Sequence, residues 1–251
     1  MKEYGLIGYP LGHSFSQKYF TDKFSKEGIH DCVYRIFPIE SIDILPELIH
    51  SHPDLQGFNV TIPYKEQVIK FLDSIDSEAK EIGAVNTVLI KREEGKIFLK
   101  GFNTDAYGFR LPLERCIKPE HSHALILGTG GASKAVAWVL KQMSIEFSFV
   151  SRNPQSASDF CYGSIPADIV KSHKLIINTS PVGMHPHEKE APDLPYCSIT
   201  AEHILYDLIY NPEQTRFLKK GKEKKATLIN GLPMLYLQAE KAWEIWNQKP
   251  I

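Results

Sequence analysis

The chain has 251 residues, 43% apolar and 24% charged, enough to bury a sizeable core in one large domain or two ordinary ones. Its 29 basic and 30 acidic residues leave no net field to draw nucleic acid or an anionic membrane, so neither is expected as a partner. No stretch approaches the ~18 apolar residues of a membrane span, and the start "MKEYGLIGYP" lacks an apolar run of signal-peptide length, so a cytoplasmic protein is expected.

Apolar runs and helix-period segments alternate along the chain. Residues 3–9 read as a strand, 14–27 as a helix stopped by Gly28, 32–38 as a strand, 41–50 as a helix and 55–62 as a strand. This βαβαβ start predicts a parallel sheet with right-handed crossovers. Residues 64–82 read as a helix, and "AVNTVLIKREEGKIFLKGF" as two strands turning at Glu93-Glu94-Gly95-Lys96, an antiparallel pair that makes the sheet mixed. "DAYGFRLPLERC" has helix character despite Pro112, and the polar stretch 117–123, with Pro119, reads as a boundary. Beyond it come strand 124–128, helix 131–143, strands 146–151, 174–179 and 203–209, helix 212–222, strand 226–230 and a last helix 233–247.

"ALILGTGGASKAVAWVL" is an apolar strand, a glycine turn and a helix. Gly128, Gly130, Gly131 and Ala132 would let the backbone turn tightly against a pyrophosphate, whose charge meets the helix N-terminus. The spacing is G-x-G-G-x-S, with Ser133 where a third Gly or Ala is usual, so the motif draws its weight from the strand before and the helix after. The following strand ends in Ser151-Arg152-Asn153 with no acid before Asp159, which favours a 2′-phosphate on Arg152 over a free ribose hydroxyl, hence NADP over NAD.

"GFNVTIPYK" at 57–65 and "GFNTD" at 101–105 both begin Gly-Phe-Asn, follow strand-like runs and end on opposite charges. A dehydrogenase reducing a ketone needs an ionisable donor at the carbonyl oxygen, and a carboxylate-oriented ammonium can serve. Alone, Lys65 reads more readily as a solvated helix-start lysine, and Asp105 as an N-cap, than as catalytic groups. Cys32, Cys116, Cys161 and Cys197 are scattered, without CxxC or a histidine cluster, so reduced thiols and no metal site are expected.

Taken together, "GYPLGHSFS" (8–16), "NVTIPYK" (59–65), "GAVNT" (83–87), "FNTDAYG" (102–108), "LGTGGASKAV" (127–136), "INTSPVGM" (177–184), "YDLIYNP" (206–212) and "NGLPMLYLQAEKAW" (230–243) resemble shikimate dehydrogenases over almost the whole chain. The resemblance implies an α/β protein in which a mixed-sheet substrate domain, 1–104 with 231–251, accompanies a Rossmann-like doubly wound NADP-binding domain, 105–230, the last helix returning to the first domain. It also implies an active site between the two, and reversible NADPH-dependent reduction of 3-dehydroshikimate to shikimate in aromatic amino-acid precursor synthesis. By position, Lys65 and Asp105 become the catalytic pair. Ser14 and Ser16, helped by Tyr210, hold the substrate carboxylate, and Thr61, Asn86 and Gln238 bind ring hydroxyls. Asn178, Thr179 and Met184 lie near the nicotinamide, and Gly231 and Met234 open the last helix, where both ligands approach. A monomer or homodimer is expected.

The chain departs from the family at Gln17 and Phe20, where proline and histidine are usual, and over 152–173. There Pro154, Gly163 and Pro166 break any long helix, so a shortened crossover is expected, and a second arginine often found after Arg152 is absent. The rival readings are a quinate/shikimate dehydrogenase with relaxed cofactor use, a non-catalytic sensor of shikimate-pathway ligands, and another two-domain NADP enzyme such as a methylenetetrahydrofolate dehydrogenase. Retention of Lys65 and Asp105 argues against the sensor.

Overall fold

The structure is a computed structural model that describes residues 1–12, 15–156 and 159–247. It forms two compact units, Met1–Thr104 with the chain from Ala239 onward, and Asp105–Gln238.

The first unit runs β1 (Lys2–Gly8), α1 (Phe15–Lys26), β2 (Cys32–Pro38), a 3-10 turn, α2 (Leu45–Ser51), β3 (Leu55–Val60), a second 3-10 turn (Gln67–Phe71), β4 (Ser74–Ile75), α3 (Ser77–Ile82), β5 (Thr87–Glu93) and β6 (Lys96–Phe102). The sheet order is β2-β1-β3-β5-β6-β4. β1 is parallel to β2 and β3, and β5 is antiparallel to β3 and β6, so the sheet is mixed. Residues 64–82 do not form the single helix that their periodicity predicts. Asp73 captures the edge of β6 instead, its N–H donating to the Leu99 carbonyl (3.0 Å) and its carboxylate accepting from the Leu99 N–H (2.7 Å). Asp76 then caps α3 by accepting from Glu78 N–H, a local option that short polar side chains offer in competition with a continuous helix.

One face of this sheet packs Ile7, Leu45, Leu55, Phe58, Val68 and Val88. The other packs Tyr4, Phe20, Phe24 and Tyr34 against Trp243 and Trp246 of the last helix, α8 (Leu232–Trp246). The Trp246 indole stacks on Tyr4 with ring centroids 4.9 Å apart and donates to the Val88 carbonyl at 3.0 Å. Each such side chain contributes roughly 1.5–3 kcal/mol on burial, which fastens the C-terminal helix to the N-terminal sheet.

The second unit runs α4 (Asp105–Glu114), β7 (His123–Leu127), α5 (Gly131–Gln142), β8 (Glu146–Ser151), β9 (Phe160–Cys161), α6 (Ala167–Ser172), β10 (Leu175–Asn178), β11 (Ile204–Asp207), α7 (Arg216–Glu223), β12 (Thr227–Ile229) and the start of α8. Its six strands are all parallel in the order β12-β11-β10-β7-β8-β9. Counted from β7 this is the doubly wound dinucleotide-binding order, with the switch point between β7 and β10.

Residues 117–123, which read as a boundary, lie inside this unit as the link from α4 to β7; the division falls at Thr104/Asp105. α7 begins at Arg216 and not at 212, because Thr215 is its cap and accepts from Leu218 N–H. Among the described residues between β8 and β9 there is no helix; β9 has two residues and α6 six, opened by Pro166. The parallel strand order survives this trimming. No helix among the described residues is long and apolar enough to cross a membrane.

Candidate active site

Parallel pairing of β1 with β3, and antiparallel pairing of β5 with β3 and β6, bring Gly8, Val60, Thr87 and Phe102 to one edge of the first sheet. The segments leaving that edge carry Ser16, Thr61, Lys65, Asn86 and the Thr104-Asp105 step. Ser14 falls outside the described residues. Thr61 extends β3 by donating its N–H to the Ile7 carbonyl (2.9 Å) and accepts from Tyr64 N–H (2.9 Å). Tyr64 is buried and its hydroxyl donates to the Ile39 carbonyl at 2.7 Å, which anchors the turn that presents Lys65. The Lys65 carbonyl in turn accepts from Val85 N–H at 2.8 Å.

Behind this edge runs a buried polar chain. The Tyr34 hydroxyl donates to Asn59 Oδ1 (2.8 Å), and Asn59 Nδ2 donates to Thr87 Oγ1 (3.1 Å) and to the Asn86 carbonyl (3.3 Å). Thr87 Oγ1 donates to Asn86 Oδ1 (3.2 Å), which also accepts from Thr104 N–H at 2.7 Å, while Asn86 Nδ2 donates to Thr104 Oγ1 at 3.0 Å. Ser16 stands near the other end, beside Tyr34. Burial holds the Tyr34 phenol far above its usual range, against the pull of the Ser16 hydroxyl, so Tyr34 keeps its proton and donates. Since an unmade buried hydrogen bond costs about 1–3 kcal/mol, this chain fixes the relative positions of Tyr34, Asn86 and Thr104.

Asp105 is the residue after Thr104, opens α4 and is 6% exposed. The Lys65 carbonyl is thus tied to Val85, and Thr104, the residue before Asp105, to Asn86. Along α4, Gly108 lies one turn from Asp105, and a Cβ there would meet the Met234 carbonyl and Gln238. This close helix approach sets the largely buried Gln238 against the Asp105 side of α4, with its amide donating to the Leu235 carbonyl (2.9 Å).

In the second unit the glycine turn follows β7. Gly128 has φ +106°, a left-handed conformation that favours glycine. Gly130 is the N-cap of α5, with no side-chain capping bond and open space where a Cβ would stand, so the first backbone N–H groups of α5, at Gly131 and Ala132, suit an anion. Ser133, where a third small residue is usual, is accommodated because its hydroxyl donates back to the Gly130 carbonyl at 2.6 Å.

The loop after β10 is tied to this turn. Thr179 Oγ1 donates to the Leu127 carbonyl (2.8 Å), so its side chain holds loop to loop. Asn178 Oδ1 accepts from Ser180 N–H and Oγ, and Asn178 Nδ2 donates to Asp207 Oδ1 at 3.0 Å. Asp207 is fully buried at the end of β11 and also accepts from Ile209 N–H (3.1 Å) and Thr215 Oγ1 (2.6 Å). Burial pushes its carboxyl up to about 6 against the pull of these donors. Met184 and Tyr210 stand partly exposed beyond the loop. Gly231 has a structural reason of its own: a Cβ would collide with the Leu208 carbonyl.

At the end of β8, Arg152 and Asn153 are exposed, and Ser151 is buried with no hydrogen-bond partner for its hydroxyl among the described residues. Tyr162, just after β9, has a buried hydroxyl in the same condition. Asp159, the nearest acid in the sequence, is occupied in accepting from Phe149 N–H (3.0 Å) and Ser156 N–H (3.1 Å). Orphaned hydroxyls beside an exposed guanidinium, with the carboxylate turned inward, fit the 2′-phosphate of NADP.

The sequence reading assigned no role to Tyr34, Asn59, Thr87, Thr104, Asp207 or Tyr162. Two of them had a signal: Asn59 stands in the repeated Gly-Phe-Asn, and Asp207 ends an apolar strand on a charge.

Residues 6–88 match the family model described as shikimate dehydrogenase substrate binding domain. The chain is 38% identical, over 97% of its length and 90% of the relative's, to a shikimate dehydrogenase (NADP(+)) of Carboxydothermus hydrogenoformans. It is 40% identical, with the same coverage, to that of Halothermothrix orenii. Among solved structures, shikimate 5-dehydrogenase of Thermus thermophilus in complex with NADP(H) and shikimate superposes with a TM-score of 0.84 at 33% identity, covering 99% of this chain and 94% of that one. The chain therefore belongs to the shikimate dehydrogenase family.

Proposed function

We propose that this chain catalyses the reversible NADPH-dependent reduction of 3-dehydroshikimate to shikimate, as a cytoplasmic enzyme that is a monomer or homodimer. The observation that supports the reading is the buried frame from Tyr34 to Thr104, which underlies the strand edge that the segments carrying Lys65 and Asp105 leave. A set of short hydroxyls and amides held in fixed positions suits a small polyhydroxylated acid, because an analogue lacking one oxygen leaves a site group unpaired.

In this reading Met1–Thr104 with the end of α8 is the substrate domain and Asp105–Gln238 the NADP domain. Bound NADPH supplies the hydride. The Lys65 ammonium polarises the ketone oxygen and gives it a proton, leaving a neutral amine that water reprotonates, while the Asp105 carboxylate orients the ammonium. Ser14, Ser16 and Tyr210 hold the substrate carboxylate; Thr61, Asn86 and Gln238 take the ring hydroxyls. Gly128, Gly130, Gly131 and Ala132 would hold the pyrophosphate, Ser151, Arg152 and Asn153 the 2′-phosphate, and Thr179, Met184 and Gly231 would flank the nicotinamide.

The test is the absorbance of NADPH formed from shikimate and NADP. A steady rise is expected. Folded protein that binds shikimate yet produces no rise would identify a sensor and end the enzymatic reading.

A further inference from the structure

The nucleotide end of the second unit contains a buried group that neither the fold nor the substrate chemistry uses. Tyr162 follows the two-residue strand β9, and its N–H donates to the Ser151 carbonyl at 3.3 Å, which places it at the carboxyl end of β8. Its ring packs against the apolar cluster that includes Leu127, Val150 and Ile176, so the side chain is held by its body. Its hydroxyl is buried with no hydrogen-bond partner of ordinary geometry among the described residues. Ser180 stands beside it, its hydroxyl already donating to Asn178 Oδ1 at 2.7 Å and accepting from Val182 N–H at 3.4 Å. Burial pushes the phenol up to about 12, the Ser180 hydroxyl and then the positive charge of Arg152 pulling against it, so at neutral pH the hydroxyl carries its proton.

A phosphate monoester presents three terminal oxygens, and one exposed guanidinium fork can pair with two. The carboxylate of Asp159, which could otherwise repel the anion, is committed to backbone N–H groups. We propose that Tyr162 is a binding residue for the adenosine end of NADP, its hydroxyl donating to the 2′-phosphate that Arg152 pairs with. Ser151, equally orphaned, is the neighbouring donor. Tyr162 thereby becomes a determinant of NADP over NAD. The inference rests on the NADP reading above.

The experiment is Tyr162→Phe in the full chain, with calorimetric titration of adenosine 2′,5′-bisphosphate and of 5′-AMP into parent and variant. The expected result is bisphosphate binding weaker by about tenfold in the variant, the loss of one hydrogen bond to a charged group, with 5′-AMP binding unchanged. The melting temperature of the ligand-free variant should equal or exceed the parent's, because an unpaired buried hydroxyl has been removed. Equal bisphosphate affinity in parent and variant overturns the role of Tyr162 and leaves the cofactor reading intact. A lower melting temperature of the ligand-free variant overturns it too, by making the hydroxyl a structural one. A parent that binds the bisphosphate no better than 5′-AMP overturns both.

Discussion

The polar groups of the two units are organised in opposite ways. At the strand edge of the first unit, Tyr34, Asn59, Thr87, Asn86 and Thr104 hydrogen-bond one another in a closed chain. At the end of β8 in the second unit, Ser151 and Tyr162 bury hydroxyls that find no partner among the described residues. A satisfied network is stiff and fixes where neighbouring groups point, whereas an unsatisfied one stores binding capacity for a ligand. The first arrangement fits a reaction centre where small displacements are costly in rate; the second fits the grip on a cofactor's distant end.

The largest effect should come at the strand edge that the first network underlies. Lys65→Ala is expected to lower kcat by roughly 10²- to 10⁴-fold with little change in KM for shikimate, read from initial rates over a substrate series. An unchanged kcat would remove Lys65 from proton transfer.

Asp207 offers a comparison inside the second unit, a buried carboxylate with all its donors in place. Its pKa is raised on folding to about 6, so the native state holds a proton that the unfolded chain releases near the usual carboxylate value. The stability it contributes is therefore complete at low pH and lost as pH rises through about 6. Asp207→Asn should gain on the parent by up to about 3 kcal/mol between roughly pH 4 and pH 7, measured by denaturant unfolding at each pH. A difference that stays flat with pH would mean that the carboxyl is not protonated in the native state.

The closed chain of the first unit can be opened directly. Asn59→Leu strips Tyr34 and Thr87 of a shared partner and should cost about 1–3 kcal/mol, seen as a lower denaturant midpoint at unchanged slope. The smallest effect is expected at the exposed cofactor end. Arg152→Ala should raise KM for NADP by about tenfold and leave KM for NAD unchanged; a parallel rise for both would place Arg152 away from the 2′-phosphate.

Strand and helix alternation made the mixed first sheet and the parallel second sheet legible, because buried strands in an α/β fold read as continuous apolar runs. The segment 64–82 misled because its helical period is real locally, while the bond from Leu99 to Asp73 that breaks it comes from a strand about 25 residues further on. The site was legible where chemistry is concentrated in one segment, as in "NVTIPYK" and the glycine turn. Tyr34, Thr87 and Thr104 escaped notice because their importance lies in a register among β2, β3, β5 and β6 that no single stretch displays. Tyr162 was hidden for a related reason: β9 is two residues long and leaves almost no periodic signal.

The central claim, that Lys65 and Asp105 act as one unit in proton transfer, is tested most directly by a double-mutant cycle on kcat with Lys65→Ala, Asp105→Ala and the double variant. The account predicts that the double variant loses scarcely more than the worse single one. Losses that multiply across the cycle would show two independent residues and contradict it.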